Sequence, residues 1–206
     1  MYIHPINSWE DEPEIIEFIQ KNAFATLVTQ MNGKPWATHI PFVFQRNTAG
    51  IPILSGHIAK ANRQWKTLAE QEEVLVIFQG PHAYISSSWY DHENVPTWNY
   101  IAVHVYGKAR IIEGEELMAH LKSLVDVYES GRPQRVSIET MSESYVQSQV
   151  RALVGLEVQI EEVMASAKLS QNRDNFNFQT IVKKLEESPL PMDKEMASEM
   201  RKKRQL

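Results

Sequence analysis

Between residues 97 and 106 the chain alternates, within a strand expected over 97–112. Trp98, Tyr100, Ala102, His104 and Tyr106 fall on one side of an extended backbone, with Thr97, Asn99, Ile101, Val103 and Val105 on the other. This period of two predicts a long strand with one face both aromatic and polar. Residues 23–31 and 34–44 predict two strands joined by a type I′ turn at Asn32-Gly33, and Pro35 and Pro41 make the second an edge or interrupted strand. Further strands are expected at 51–54, at 74–78 (VLVIF, apolar throughout and so expected to be buried on both faces), at 83–87 and at 154–161. Helical spacing is read from a start at Ser8 through Ile15, Ile16, Phe18 and Ile19 to about Asn22, and over 58–70, 115–130, 142–151, 176–186 and 193–203. Five to seven strands, mostly neighbours in sequence, thus precede a run of helices. The expected fold is α+β, an antiparallel barrel-like sheet with peripheral and C-terminal helices, forming a single domain over 1–206 with 174–206 as a helical appendage.

Composition narrows the function. With 206 residues and 43% hydrophobic positions the chain can bury a substantial core, yet no window offers the roughly 18 apolar residues of a membrane span. The opening MYIHPINSWEDE has neither the basic nor the apolar region of a signal peptide, and there is no cysteine, so a soluble cytoplasmic protein without disulfides or thiolate chemistry is expected. A net charge of −5 argues against a broad phosphate-binding face; the basic run Arg201-Lys202-Lys203-Arg204 reads as a solvated helix end. The seven histidines show no metal-ligand spacing, so no metal site is expected. Ser86-Ser87-Ser88 lacks the glycines of a nucleophile elbow, and neither a Walker loop nor GxGxxG occurs.

Three stretches carry candidate chemistry. At Ser55-Gly56-His57 a strand is expected to give way to a small-residue turn and a helix start bearing Lys60 and Arg63, an arrangement that favours an anion through free backbone N–H groups and nearby charge. Residues 80–107 hold two Trp, four Tyr and three His, a wall that can receive a flat ligand against Trp98 or Tyr100 with Asn99 or His82 at its edge; ordinary sheet packing also accounts for such a wall. The cluster from Lys168 to Arg173 is either a loop or a second set of contacts to an anionic or hydrogen-bonding ligand. A phosphate at one end and a heteroaromatic ring at the other would use both main stretches, and FMN has that form.

Specific motifs sharpen this reading. The opening MYIHP, Thr38-His39-Ile40-Pro41-Phe42, Ser55-Gly56-His57-Ile58-Ala59-Lys60-Ala61-Asn62, Gly80-Pro81-His82-Ala83-Tyr84-Ile85-Ser86, Ser88-Trp89-Tyr90, Val95-Pro96-Thr97-Trp98-Asn99-Tyr100, Val103-His104-Val105-Tyr106-Gly107 and Lys168-Leu169-Ser170-Gln171-Asn172 together resemble the PaiB family of FMN-binding negative transcriptional regulators. The resemblance implies a flavin-type split barrel, homodimeric, with FMN at the subunit interface. It implies that His39 and Ile40 run along the ring, that the stretch from Leu54 to Lys60, with Ser55, Gly56 and His57, holds the phosphate, and that Trp98, Asn99, Tyr100, Ser170, Gln171 and Asn172 close the site, with Asn62 and His82 as further cofactor contacts. DNA is an implied partner that the composition supports poorly. The alternative is an FMN-dependent oxidoreductase using NAD(P)H, with His82, Tyr84 or His104 as proton donor; binding of another flat cofactor, such as haem or a deazaflavin, is the third reading.

Overall fold

The computed structural model describes residues 1–68, 70–71 and 73–204. β1 (Phe24–Met31) and β2 (Lys34–Pro41) pair antiparallel along their full length, Phe24 opposite Pro41 and Met31 opposite Lys34. The turn between them has positive φ at both Asn32 (53°) and Gly33 (73°), the backbone that a two-residue type I′ hairpin demands and that these two residues tolerate best. β3 (Val43–Arg46), β4 (Pro52–Ala59), β5 (Val74–Ile85), β6 (Thr97–Ile112) and β7 (Leu153–Lys168) complete a sheet of order β2-β1-β5-β6-β7-β4-β3. The sheet is not closed. β2 and β3 are its edges, as the two prolines of β2 require.

The helices are α1 (Glu12–Lys21), α2 (Trp65–Leu68), α3 (Gly114–Glu129), α4 (Glu143–Val150), α5 (Asn175–Glu186) and α6 (Pro191–Arg204). The α+β class and the late run of helices match the sequence reading. The start of α1 does not: Asp11, not Ser8, caps it, its carboxylate accepting from the Glu14 N–H at 2.9 Å, while Ser8 bridges to Ser166 as extended chain. β5 also departs from expectation. It runs unbroken to Ile85, and Val74, Val76 and Phe78 are buried while Leu75 and Ile77 are half-buried, so only one of its faces is fully covered.

The largest correction concerns residues 58–70. Instead of a turn and a helix, β4 continues through Ser55-Gly56-His57 to Ala59, paired with β7 from Ile53 opposite Gln159 to Ala59 opposite Leu153. Lys60 N–H then donates to the Ala152 carbonyl at 2.8 Å. The sequence IAKANRQWKTLAE has good helix formers, but ladder pairing and burial of Ile58 outweigh a propensity of a few tenths of a kcal/mol per residue. Only α2, a single turn, forms; Ala69 of the expected helix, and Gln205 and Leu206 of the expected appendage, lie outside the described residues.

The chain packs as two units. The terminal unit comprises Met1–Phe18, Gln79–Val103 and Met164–Leu206; the central unit comprises Ile19–Phe78 and His104–Val163. In the terminal unit α5 and α6 bury Phe178, Ile181, Leu185, Met196 and Met200, each such side chain contributing about 2 kcal/mol on removal from water. Helix α6 does not project: the Met200 thioether accepts from the Asn99 amide at 3.5 Å. Its basic end is largely engaged, Arg201 in a forked pair with Glu186 (2.7 and 3.0 Å) and Lys203 with Glu14 (3.4 Å). In the central unit Leu27, Phe42, Leu54, Val76, Phe78, Leu156 and Val158 form the core.

Candidate functional site

Two sets of predicted residues emerge, one in each unit. In the central unit, edge strand β2 and the turn that follows β4 line a cavity of about 580 Å³ with Trp36, Thr38, His39, Asn62 and Arg63. Its geometry depends on Gln64, which is wholly buried. The Gln64 amide donates to the Thr29 hydroxyl (3.0 Å) and to the carbonyls of Leu27 and Trp36 (3.4 Å each), and its oxygen accepts from the Thr38 hydroxyl at 2.5 Å. Thr38 in turn accepts from Asn62 at 2.8 Å, and the Asn62 oxygen accepts from the Gln64 N–H at 3.1 Å. This closed network fixes Asn62 and Thr38 against the hairpin. Arg63 and His39 remain exposed at the cavity, His39 stacked on Phe24 (6.3 Å between centroids) with its Nδ1 2.9 Å from the Thr26 hydroxyl.

The other residues expected at the phosphate are placed differently. Lys60 is exposed at the end of β4, beside Ala61 of the cavity wall, whereas Ile40 turns its side chain into the core. Gly56 makes room for that core rather than for a ligand: a Cβ there would stand 3.1 Å from Ile40 Cδ1 and 3.2 Å from the Phe42 ring. Strand alternation sends Ser55 and His57 the opposite way, to α3. His57 Nδ1 lies 3.1 Å from His120 Nε2, and His120 Nδ1 lies 3.0 Å from the Ser55 hydroxyl. Neutral rings satisfy this chain, His57 donating to His120 and His120 to Ser55.

Burial first, and the neighbouring His57 second, push the His120 pKa down to about 4, and burial lowers that of His57. A histidine whose folded pKa lies below its unfolded value resists protonation in the folded state. Its contribution is therefore complete above about pH 6.5 and is lost as pH falls toward 4, by about 3 kcal/mol for His120. Urea midpoints measured from pH 7.5 to 4.5 are expected to fall more steeply in the parent than in His120→Gln. Equal slopes would refute the assignment.

In the terminal unit the aromatic wall is present and open. Trp98 is 53% and Tyr84 47% exposed, packed edge to face at 5.8 Å, with His82 6.1 Å from Trp98. Asn99 leaves this wall, because the alternation of β6 points it inward; it is fully buried and bonds Ser170, whose hydroxyl donates to its oxygen at 3.1 Å. Ser170 holds a positive φ of 57°, rare outside glycine. Gln171 braces the same loop, its amide donating to the carbonyls of Ile6 (2.7 Å) and Ala167 (2.8 Å) and its oxygen accepting from Leu169 N–H (2.7 Å). Asn99 therefore shapes the loop from within, while Ser170 and Gln171, which brace it, also line a cavity of about 430 Å³ with Tyr100, Asn172, Lys168 and Arg173.

Trp36, Thr38 and Gln64 carry no site reading in the sequence, and Arg63 enters it only as a cation of the expected helix start. Thr38 and Arg63 stood inside or next to quoted motifs, but nothing local marks Gln64, whose partners are 26 to 37 residues away.

The family model described as "Putative FMN-binding domain" matches residues 1–162. The chain is 43% identical over 203 residues to protease synthase and sporulation protein PAI 2 of Bacillus subtilis (strain 168), covering 98% of each protein. Among solved structures, the FAD and heme binding protein from Mycobacterium smegmatis superposes with a TM-score of 0.61 at 16% identity over 79% of this chain and 73% of that one. The flavocytochrome Anf3 from Azotobacter vinelandii gives 0.60 at 18% identity over 81% and 72%. Those two likenesses concern the fold alone. The full-length identity and the family match together show that the chain belongs to the PaiB family of FMN-binding-domain proteins.

Proposed function

We propose that this chain is an FMN-binding regulator of PaiB type, with the cofactor held at the central unit's cavity. The observation that carries the reading is the convergence, at one open cavity, of an edge strand, two ring-bearing side chains and a fixed polar turn with a cation. The donor set fits the cofactor. Arg63, with Lys60 beside it, supplies positive charge for a phosphate; Asn62 supplies a rigid amide; Trp36 and His39 offer faces for a flat ring, and the open side of β2 offers backbone groups for its polar edge. FMN, when bound, supplies redox chemistry that no side chain here provides.

A second copy of the chain is the proposed cover for the exposed Trp98 and Tyr84, as a two-fold interface would bury both. A regulatory role is supported by likeness to a relative named for protease synthase and sporulation. Cytoplasmic action fits the absence of cysteine, and no helix among the described residues is long and apolar enough to cross a membrane.

The purified protein is expected to be yellow, to release about one FMN per chain on denaturation, and to run as a dimer by light scattering. A colourless protein that takes up no added FMN would sink the cofactor reading, and a monomer the interface. DNA is the less favoured partner, since the net charge is −5 and Arg201 and Lys203 already meet carboxylates. Absence of sequence-dependent DNA affinity at low salt, with and without FMN, would exclude direct repression; rapid anaerobic reduction by NAD(P)H would favour an oxidoreductase.

A further inference from the structure

We propose that the terminal unit's cavity is a binding site for a small organic anion, a carboxylate or a phosphate ester, separate from FMN, with Lys168 and Arg173 as its counter-charges. The cavity holds about 430 Å³, within the range of small-molecule sites, and its lining includes both cations but neither Asp nor Glu. Among the described residues no carboxylate pairs with Lys168, whose ammonium donates to the Thr97 hydroxyl at 2.5 Å. Arg173 stacks its guanidinium over the Tyr90 ring at 5.0 Å, and its Nε is buried without an acceptor. A second guanidinium stands behind it, since Arg204 donates to the Arg173 carbonyl and has a buried Nη1 that is also unmatched.

Uncompensated cations next to orphaned buried donors are destabilising unless a ligand completes them. A further polar cavity shows the contrast. In the central unit a space of about 590 Å³ is lined by Arg110, but that guanidinium is forked to Glu116 (2.9 and 2.7 Å) and bonded to Glu157 (2.9 Å), so its charge is already matched.

The platform under Lys168 and Arg173 is built for rigidity. Both flank the loop that Gln171 ties down with three hydrogen bonds and that Ser170 holds in a left-handed backbone through Asn99. A strained residue enforced by its surroundings is a common support for a ligand clamp. Tyr100 and the His4 ring add polar edges, while Val95 and Pro96 add an apolar rim that suits an organic anion better than a bare ion. No residue lines both this cavity and the one assigned to FMN.

Calorimetric titration of the full chain with succinate and with inorganic phosphate, with and without saturating FMN, tests the proposal. At least one probe is expected to bind both forms, and Lys168→Gln and Arg173→Gln are each expected to weaken it about tenfold or more, while Lys202→Gln leaves it unchanged. Should Arg173→Gln lose its Tyr90 packing and fail to fold, Lys168→Gln alone decides. Failure of both anions to bind, or unchanged affinity in Lys168→Gln, overturns the proposal. So does anion binding that FMN abolishes and riboflavin does not, for the cations would then serve the flavin's own phosphate. Flavin content, read from the absorbance of the same samples, separates failure of this site from failure of the cofactor reading.

Discussion

Gly107→Ala is expected to leave the protein mostly insoluble. A Cβ at this position in β6 would lie 2.0 Å from the carbonyl oxygen of Gln159 in β7 and 2.9 Å from its carbonyl carbon. Both contacts are with backbone, so no rotamer change relieves them. β6 and β7 are adjacent in the middle of the sheet, and they would have to separate by more than 1 Å to restore an ordinary carbon-oxygen contact, disrupting ladder hydrogen bonds worth about 1 kcal/mol each in addition to an overpacking cost of about 1–3 kcal/mol. A loss of about 4 kcal/mol or more is a large share of the 5–15 kcal/mol typical of a folded domain. Gly33→Ala is the control: it meets nothing within 4 Å and its φ of +73° adds strain of about 1–2 kcal/mol. Soluble yield and urea midpoints compare the two. A soluble Gly107→Ala with a midpoint equal to that of Gly33→Ala would refute the close approach.

The same strand shows what a sequence makes legible. The existence of β6 follows from ten residues of alternation, 97–106, and that of the first hairpin from Asn-Gly and two prolines, because both signals are local. Residues 55–59 were illegible for the opposite reason. Their helix-like composition is overridden by β7, a hundred residues later, and with the helix goes the expected nest of free N–H groups. Ser55 and His57 look like ligand donors in sequence, yet their partner is His120 on α3. Asn99 and Ser170 are polar yet buried, and the half-buried Gln171 spends its amide on its own loop. A motif records that such residues matter but not whether they touch a ligand or hold the groups that do, because that depends on pairings such as Asn99 with Ser170, 71 positions apart. The cluster from Lys168 to Arg173 already reads in sequence as a loop or an anion contact, and the cavity adds that its lining sets no acid against the two cations.

Gln64→Leu separates positioning from contact at the candidate cofactor site. Leucine nearly conserves the volume of this wholly buried side chain but removes its amide, leaving the Thr29 and Thr38 hydroxyls and the Leu27 carbonyl without their partner. Each unsatisfied buried group costs about 1–3 kcal/mol, and as these share one network the combined loss is expected to be about 3 kcal/mol. That change leaves the protein folded at low temperature, where the site can still be assayed. Thr38 and Asn62 then lose the residue that aligns them, and FMN affinity, read from flavin fluorescence quenching, is expected to drop about tenfold although Gln64 is too deeply buried to touch the cofactor. Gln64→Glu gives a sharper contrast: its carboxylate can still accept from Thr38 but cannot donate to the Leu27 and Trp36 carbonyls, so it is expected to destabilise at least as much as leucine. If folded Gln64→Leu retains FMN with the parent's affinity, the wall of Thr38 and Asn62 is not the cofactor's wall, and the phosphate and ring must be sought elsewhere on the central unit.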